Sequence, residues 1–168
     1  MYNYDTVWLV DVGYVTKASK DIFRLDYLAG HDLLQERCGA TRGMLFNGYD
    51  LSYGISEGLD AFYNVMRGHG FEVRLHPMMS GEEGMNRQRR VDVDLCARMI
   101  WEASRDYVKW VVLTTGDQDF IPAVELVKDR SDKRVVLFTY NKNVHLELAG
   151  RVDEWWRFED DADRLTRY

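Results

Sequence analysis

The stretch Val111–Phe120, VVLTTGDQDF, constrains the fold of this chain more than any other. Its run of β-branched and apolar residues, Val111–Leu113, predicts a strand that is buried on both faces. Gly116 then allows a sharp turn, and the two carboxylates Asp117 and Asp119 follow it. Because ligand sites in open α/β sheets form at the carboxyl ends of strands, this turn is a candidate site. The alternative is that Asp119 only caps the next helix and Asp117 belongs to an ordinary turn.

Length and composition limit the class of protein. The 168 residues are enough for one domain with a proper core and too few for two. A hydrophobic fraction of 46% excludes a disordered chain, and no apolar run reaches the roughly 20 residues of a membrane span. The N-terminus has no basic segment before its apolar run, so no signal peptide is predicted. The two cysteines, Cys38 and Cys96, suggest neither a disulfide framework nor a zinc site, and we expect an intracellular, cytoplasmic domain.

The formal charge of −6 argues against a protein that holds nucleic acid by bulk electrostatic attraction. It does not exclude an enzyme that contacts a phosphodiester briefly, because bound cations change the local charge balance. The dense basic run is Arg87–Arg90, and we expect residues 78–88 to form a mobile loop beside the site. Our candidates for contacting a substrate phosphate are Arg89, Arg90 and Thr115. For the two arginines, an ordinary solvated run of charges is the alternative.

Strand and helix patterns alternate along the chain. Strands are predicted at Thr6–Val12, Thr41–Asn47, Phe71–His76, Val111–Leu113 and Arg134–Thr139, with a further edge strand at Glu154–Phe158. Helices are predicted at Asp26–Cys38, Ser56–Arg67, Val91–Ser104, Phe120–Arg130 and Val144–Ala149. This alternation predicts a three-layer α/β/α sandwich with a mainly parallel five-stranded sheet and an optional extra edge strand. We expect the domain to cover residues 1–158, and residues 159–168 to form a short tail or helix.

Two more carboxylates are expected to join Asp117 and Asp119. Asp11 ends the first strand, and Asp92 lies on the inward stripe of the helix that precedes the fourth strand. If the strand order reverses between the first and fourth strands, the ends of these strands are neighbours. Four carboxylates with no His or Cys beside them favour a hard cation, Mg²⁺ or Mn²⁺. The alternatives are that Asp11 starts a turn and that Asp92 only stabilises the helix dipole.

Three segments also carry a family resemblance: the apolar strand ending at Asp11, the segment RRVDVDLCARM, and TTGDQDF followed by a helix with Pro122. They resemble the NYN branch of the PIN-like nuclease superfamily, and the likeness runs from about residue 6 to residue 158. The resemblance implies a metal-dependent endoribonuclease that acts on single-stranded or structured RNA. It implies Asp11, Asp92, Asp117 and Asp119 as the catalytic and metal-binding set.

Two positions differ from the family pattern. Tyr14 stands three residues after Asp11, where the family usually has Asn, and Arg98 stands where the family often has Asp. Asp94 does not replace the missing Asp of the family pattern, because it projects from another side of the helix. There we expect Asp94 to form a solvated ion pair with Arg98. These differences keep a second function open, an NYN-like module that binds RNA or a protein partner in a regulatory role without cutting.

Exposed aromatic side chains would serve such a binding role. Our candidates for stacking on bases or on a protein are Tyr49, Tyr53, Trp155 and Trp156, with edge packing as the alternative. Together with an edge strand, these surface aromatics would allow a homodimer. A phosphatase of the haloacid-dehalogenase type is disfavoured, because that class needs a second acid two residues after the first-strand Asp, where this chain has Gly13.

Overall fold

A parallel β-sheet forms the centre of the molecule. The computed structural model describes residues 3–78 and 84–168, with the backbone alone for residues 84–89. The strands are β1 (Thr6–Asp11), β2 (Thr41–Asp50), β3 (Glu72–Met78), β4 (Trp110–Thr114), β5 (Arg134–Thr139) and β6 (Glu154–Arg157). Their order across the sheet is β3-β2-β1-β4-β5-β6, and every neighbouring pair is parallel. Strand β6 supplies the extra edge strand, so the sheet has six strands rather than five.

Helices cover both faces of the sheet. They are α1 (Val12–Ala18), α2 (Tyr27–Cys38), α3 (Glu57–Gly68), α4 (Gly84–Ala103), α5 (Ile121–Arg130), α6 (Leu146–Arg151) and α7 (Ala162–Leu165). Helices α1, α2, α3 and α7 contribute to one apolar cluster, and α4, α5 and α6 contribute to the other. The predicted three-layer α/β fold is therefore confirmed. No helix in the described parts of the chain combines the length and apolarity needed to cross a membrane.

Strand β1 shows why the sheet is buried on both sides. All six of its residues are buried, and its side chains alternate between the two apolar clusters. Trp8 and Val10 pack under α1 and α2, whereas Val7 and Leu9 pack under α4. Burying one such aliphatic side chain contributes about 1.5–3 kcal/mol, so this continuous apolar run fixes β1 at the centre of the sheet.

The strand order reverses between β1 and β4, as expected. These two strands are direct neighbours, and Val10 of β1 is in register with Thr114 of β4. The chain leaves β1 towards β2 and β3 on one side, and leaves β4 towards β5 and β6 on the other. A crevice forms where the two sets of connections part, at the carboxyl ends of β1 and β4.

Helix α1 was not predicted from the sequence. The first strand ends at Asp11 rather than at Val12, and the carboxylate of Asp11 caps the new helix by accepting a hydrogen bond from the amide of Tyr14 at 3.2 Å. Residues such as Val12 and Val15 have the β-branched pattern of a strand, but here they cover the sheet from a helix.

The region after β3 differs from its prediction in part. Residues 79–83 of the predicted mobile loop lie outside the described residues. From Gly84 onwards the prediction of a loop is wrong, because α4 starts there and continues to Ala103. Its inward positions Val91, Leu95 and Met99 are buried, and this packing stabilises a helix whose first two turns lack an apolar stripe.

The last ten residues fold against α2. Phe158–Asp161 forms a 3₁₀ turn and leads into α7, where Leu165 is fully buried. An antiparallel bridge then pairs Leu25 with Thr166. The C-terminal segment thus lies beside the connection between α1 and α2.

Candidate active site

Asp11 lies at the carboxyl end of β1 and is only 5% exposed. Its carboxylate accepts hydrogen bonds from the amide of Tyr14 at 3.2 Å and from the hydroxyl of Thr115 at 3.1 Å. Burial raises the pKa of Asp11, and the negative charge of Asp117 raises it further, while the hydrogen bonds act in the opposite direction. Asp11 is therefore held in a fixed position, in surroundings that disfavour its negative charge.

The turn after β4 presents the next two acids. Asp117 caps a short 3₁₀ helix, Gln118–Phe120, by accepting a hydrogen bond from the amide of Asp119 at 2.9 Å. Asp117 is half-buried and Asp119 is exposed. The alternatives considered for these acids were a helix cap and an ordinary turn. Both are present here, although Asp117 rather than Asp119 is the cap. These roles do not conflict with a functional one, because they fix where the carboxylates lie.

Gly116 is needed for the close contact that holds this turn. A Cβ atom at this position would lie 1.8 Å from the carbonyl oxygen of Asn143, so any side chain would push the two loops apart. The carbonyl oxygen of Gly116 also accepts a hydrogen bond from the amide of His145 at 2.9 Å. The loop after β5 therefore supports the loop after β4.

Helix α4 carries Asp92 and, one turn later, Cys96. Burial, together with the charges of Asp92, Asp117 and Asp119, raises the pKa of the Cys96 thiol to about 11. Those three carboxylates therefore lie near one thiol, while Asp117 also acts on Asp11. Asp117 therefore acts both on Asp11 at the end of β1 and on Cys96 of α4, whereas Asp92 and Asp119 act on Cys96. Cys96, which the sequence did not associate with them, stays a protonated thiol at neutral pH.

The donor set of this crevice is the type that a hard cation prefers. Carboxylate oxygens are the usual protein ligands of Mg²⁺ and Mn²⁺, and the charge of Asp117 adds to the effect of burial by repelling the carboxylate of Asp11. A divalent ion would relieve that repulsion. In the described part of the chain, however, no three carboxylate, thiol or imidazole groups are already arranged as metal ligands. Binding would require side-chain rotation, which the exposed Asp119 can make at little cost.

Tyr14 occupies the place where the family usually has Asn. Its hydroxyl donates a hydrogen bond to the carbonyl oxygen of Lys142 at 2.8 Å and lies 3.3 Å from that of Tyr140. Burial raises the pKa of Tyr14, so the phenol remains neutral. The side chain therefore connects α1 to the loop after β5 instead of offering an amide oxygen to the crevice.

The three candidates for phosphate contact lie in different surroundings. Thr115 is fully buried, and its hydroxyl donates to Asp11, so it orients a carboxylate. Arg90 is exposed and lines a 470 Å³ cleft together with His76 and Asp94, on a face of α4 other than that of Asp92. The side chain of Arg89 lies outside the described residues. The structure therefore brings Thr115, but not Arg90, to the acids.

Asp94 shows a different partner from the one predicted. Instead of Arg98, its Oδ2 atom accepts hydrogen bonds from Arg74 Nε and from His76 Nε2, both at 2.7 Å. Burial alone would raise the pKa of Asp94, but the hydrogen bonds and charges of Arg74 and His76 outweigh it and hold the pKa below its usual range. The helical pattern of the sequence indicates only neighbours on the same helix, so it does not predict the pairing of Asp94 with β3.

The candidate stacking residues divide into two groups. Tyr53 is 85% exposed, and Tyr49 is partly exposed. Trp155 donates a hydrogen bond to Thr139 at 2.9 Å, and Trp156 packs beside Trp110 with ring centroids 6.0 Å apart. For the two tryptophans, the edge packing considered as the alternative is therefore what the structure shows.

Comparisons with known proteins agree with this architecture. A crystal structure of a protein of unknown function from Vibrio parahaemolyticus superimposes with a TM-score of 0.77 at 22% identity, covering 99% of each chain. A search of curated proteins gave no match. A sequence model of the NYN domain matches residues 10–155, a range that includes all four predicted acids. The chain therefore belongs to the NYN domain family.

Proposed function

We propose that this protein is a divalent-metal-dependent endoribonuclease that hydrolyses RNA phosphodiester bonds. The observation that supports this function best is the position of Asp11 and Asp117 at the carboxyl ends of β1 and β4, which are neighbouring strands. NYN domains are generally nuclease-like and generally use divalent metals, which agrees with this donor set. Mg²⁺ or Mn²⁺ is the expected cofactor.

Each acid has a separate role in this proposal. Asp11, Asp117 and Asp119 would hold the metal directly or through water, and Asp92 would hold a second ion or orient the attacking water. A bound metal ion would supply activation of that water and stabilisation of the leaving oxygen. Thr115 positions Asp11 through its hydroxyl, and the close packing at Gly116 keeps Asp117 at the crevice.

Cleavage of a labelled RNA that contains single-stranded and looped regions tests this function. We expect cleavage with Mn²⁺ or Mg²⁺, no cleavage in EDTA, and a loss of about 100-fold or more in Asp117→Asn. Asp132→Asn is the matched control, because that side chain is 95% exposed and forms a weak pair with the neighbouring Lys133 at 3.7 Å. Cleavage that persists in EDTA, or a fully active Asp117→Asn, would falsify the proposal.

Tyr14 favours a second candidate function, an RNA-binding or protein-binding module without catalysis. Because its hydroxyl is bonded to backbone carbonyls, it does not provide the neutral oxygen that Asn gives in the family pattern. Calorimetry with Mn²⁺ and the same RNA separates the two functions. RNA binding without Mn²⁺ binding or turnover supports the module, whereas Mn²⁺ binding together with turnover excludes it.

A further inference from the structure

A second cleft lies on the opposite face of the sheet from α4, among α1, α2, α3 and the C-terminal segment. Its volume is 530 Å³, within the range of about 300–1,000 Å³ that is usual for small-ligand sites. Its lining residues are Val12, Val15, Thr16, Ser19, Arg24, Leu25, Tyr27, Ser56, Gly58, Leu59, Phe62 and Arg167. In a chain with a net charge of −6, this lining includes two arginines and no carboxylate.

The backbone holds these two arginines against each other. Leu25 pairs with Thr166 in an antiparallel bridge, and the amide of Arg167 donates to the carbonyl oxygen of Arg24 at 2.8 Å. Residues 24 and 167 are therefore directly opposite on the same side of the bridge. Like charges in such a pair destabilise each other, so this arrangement favours an anion between them.

Many other arginines of this chain have a carboxylate partner. Seven of them have a carboxylate at ion-pair distance, namely Arg37, Arg42, Arg74, Arg105, Arg134, Arg151 and Arg164. Within residues 3–78 and 84–168, no carboxylate lies at that distance from Arg24 or Arg167. Both side chains are exposed and face the cleft. Two adjacent guanidinium groups can bind a phosphate dianion through paired, charge-assisted hydrogen bonds.

The remaining walls of the cleft suit a flat, mostly apolar group. Phe62 and Tyr27 lie side by side with ring centroids 5.5 Å apart, and Val12, Val15 and Leu59 extend the apolar wall. The residues Thr16 and Ser56 add hydroxyls at the edge. A ligand that joins a phosphate to an aromatic ring and a hydroxylated linker matches these walls, and a nucleotide has that chemistry.

We propose that this cleft binds the terminal phosphate and base of a nucleotide, with Arg24 and Arg167 contacting the phosphate. The nucleotide is either a free mononucleotide or the end of an RNA strand; the second form rests on the proposed nuclease function. The cleft lies next to the acidic crevice, because its residue Val12 directly follows Asp11 and the charge of Asp11 acts on Tyr27. A strand end held there would leave the following phosphodiesters near the acids.

Binding is measured in EDTA, where the proposed cleavage is silent, by anisotropy of a short RNA labelled at the opposite end. The probes are one RNA sequence with a 5′-phosphate, a 3′-phosphate or no terminal phosphate, and AMP and adenosine as competitors. We expect a terminally phosphorylated RNA to bind about tenfold more tightly than the same RNA without the phosphate, or AMP to bind about tenfold more tightly than adenosine. Preference for an RNA end identifies the strand as the source, and competition by AMP alone identifies the free nucleotide.

Two pairs of variants separate the cleft from general charge effects. Arg24→Gln and Arg167→Gln should each remove the preference for phosphate, whereas Arg130→Gln, an equal charge change on the opposite face, should not. Gly58→Glu puts a carboxylate into the cleft at a position where an added Cβ meets no described atom within 4 Å. An acid in the first turn of α3 also favours the helix, so this variant should fold. Gly68→Glu, at the other end of α3 and equally open, is its control.

Three results would overturn the proposal: no phosphate preference either among the RNA probes or between AMP and adenosine, a preference that survives both Arg24→Gln and Gly58→Glu, or an equal loss in the control variants. None of these results depends on cleavage. The nuclease proposal fails separately if the wild-type protein binds these probes but does not cleave RNA with Mn²⁺ or Mg²⁺.

Discussion

Asp11 and Asp94 both lie at the boundary between the sheet and a helix, and their surroundings change their pKa in opposite directions. Burial and the charge of Asp117 raise the pKa of Asp11. Burial also disfavours the charge on Asp94, but Arg74 and His76 reverse that effect and lower its pKa. The first acid belongs to a group of like charges, and the second has cations from the adjacent strand.

This difference separates a candidate catalytic acid from a structural one. Asp94 obtains its balancing charge from β3, so its main effect is to hold α4 against the edge of the sheet. Burial, and to a smaller extent the charge of Asp117, disfavours the negative charge of Asp11, which costs stability unless a cation or a proton compensates for it. Proteins often keep such costly groups where a ligand supplies the opposite charge.

The largest expected effect is on cleavage. Asp11→Asn should lower metal-dependent RNA cleavage by about 100-fold or more, because it removes a metal ligand, whereas Asp94→Asn should retain activity within about threefold. Initial rates with Mn²⁺ for both purified variants test this contrast. Equal losses in the two variants would show that the comparison does not distinguish catalytic from structural acids.

A smaller effect is expected on the free energy of unfolding, and here Asp94→Asn is the more affected variant. Asp94→Asn should lower the free energy of unfolding by about 1–2 kcal/mol, because the partly exposed ion pairs to Arg74 and His76 are lost. Asp11→Asn should leave it unchanged or raise it, since Asn caps helices as well as Asp and has no charge to bury. Urea denaturation in EDTA measures both values. A large loss in Asp11→Asn would mean that the charge of Asp11 is stabilising without metal.

The smallest expected effect is on how the free energy of unfolding depends on pH. Asp94 has a folded-state pKa below the usual 3.8, so its contribution is present above pH 3.8 and is lost as the pH falls through the lower value. Asp11 has a raised pKa, so its contribution is present below pH 3.8 and is lost as the pH rises through the folded-state value. The stability difference between wild type and each variant, measured by urea denaturation from about pH 2 to about pH 7, should therefore change in opposite directions. Parallel curves would contradict the assigned shifts.

The sequence was sufficient where a pattern depends on local periodicity. Strand Arg134–Thr139 matches its prediction, and α2, α3 and α5 are close to theirs, because an apolar period of two or of about 3.6 residues reports burial directly. Helix α1 was missed because Val12 and Val15 favour a strand by composition, and the cap on Asp11 was the available signal.

The candidate site was predictable only in part. The alternation of strands and helices implies that the ends of β1 and β4 meet, which is enough to predict that Asp11 and Asp117 are close. The catalytic roles of these acids stay a prediction. The hydrogen bond from Thr115 to Asp11 and the position of Cys96 among the acids depend on side-chain directions, which residue spacing does not give.

By itself, the sequence determined the layer order of this protein and the set of acids that end its central strands, because both follow from the alternation of apolar and polar residues along the chain. Only the tertiary structure decided which charges neutralise one another. Asp94 finds its cations on β3, and Arg24 meets Arg167 through a bridge between distant segments. Electrostatic interactions act through distances in space, and residues far apart in sequence come within those distances only when the sheet and its helices have packed.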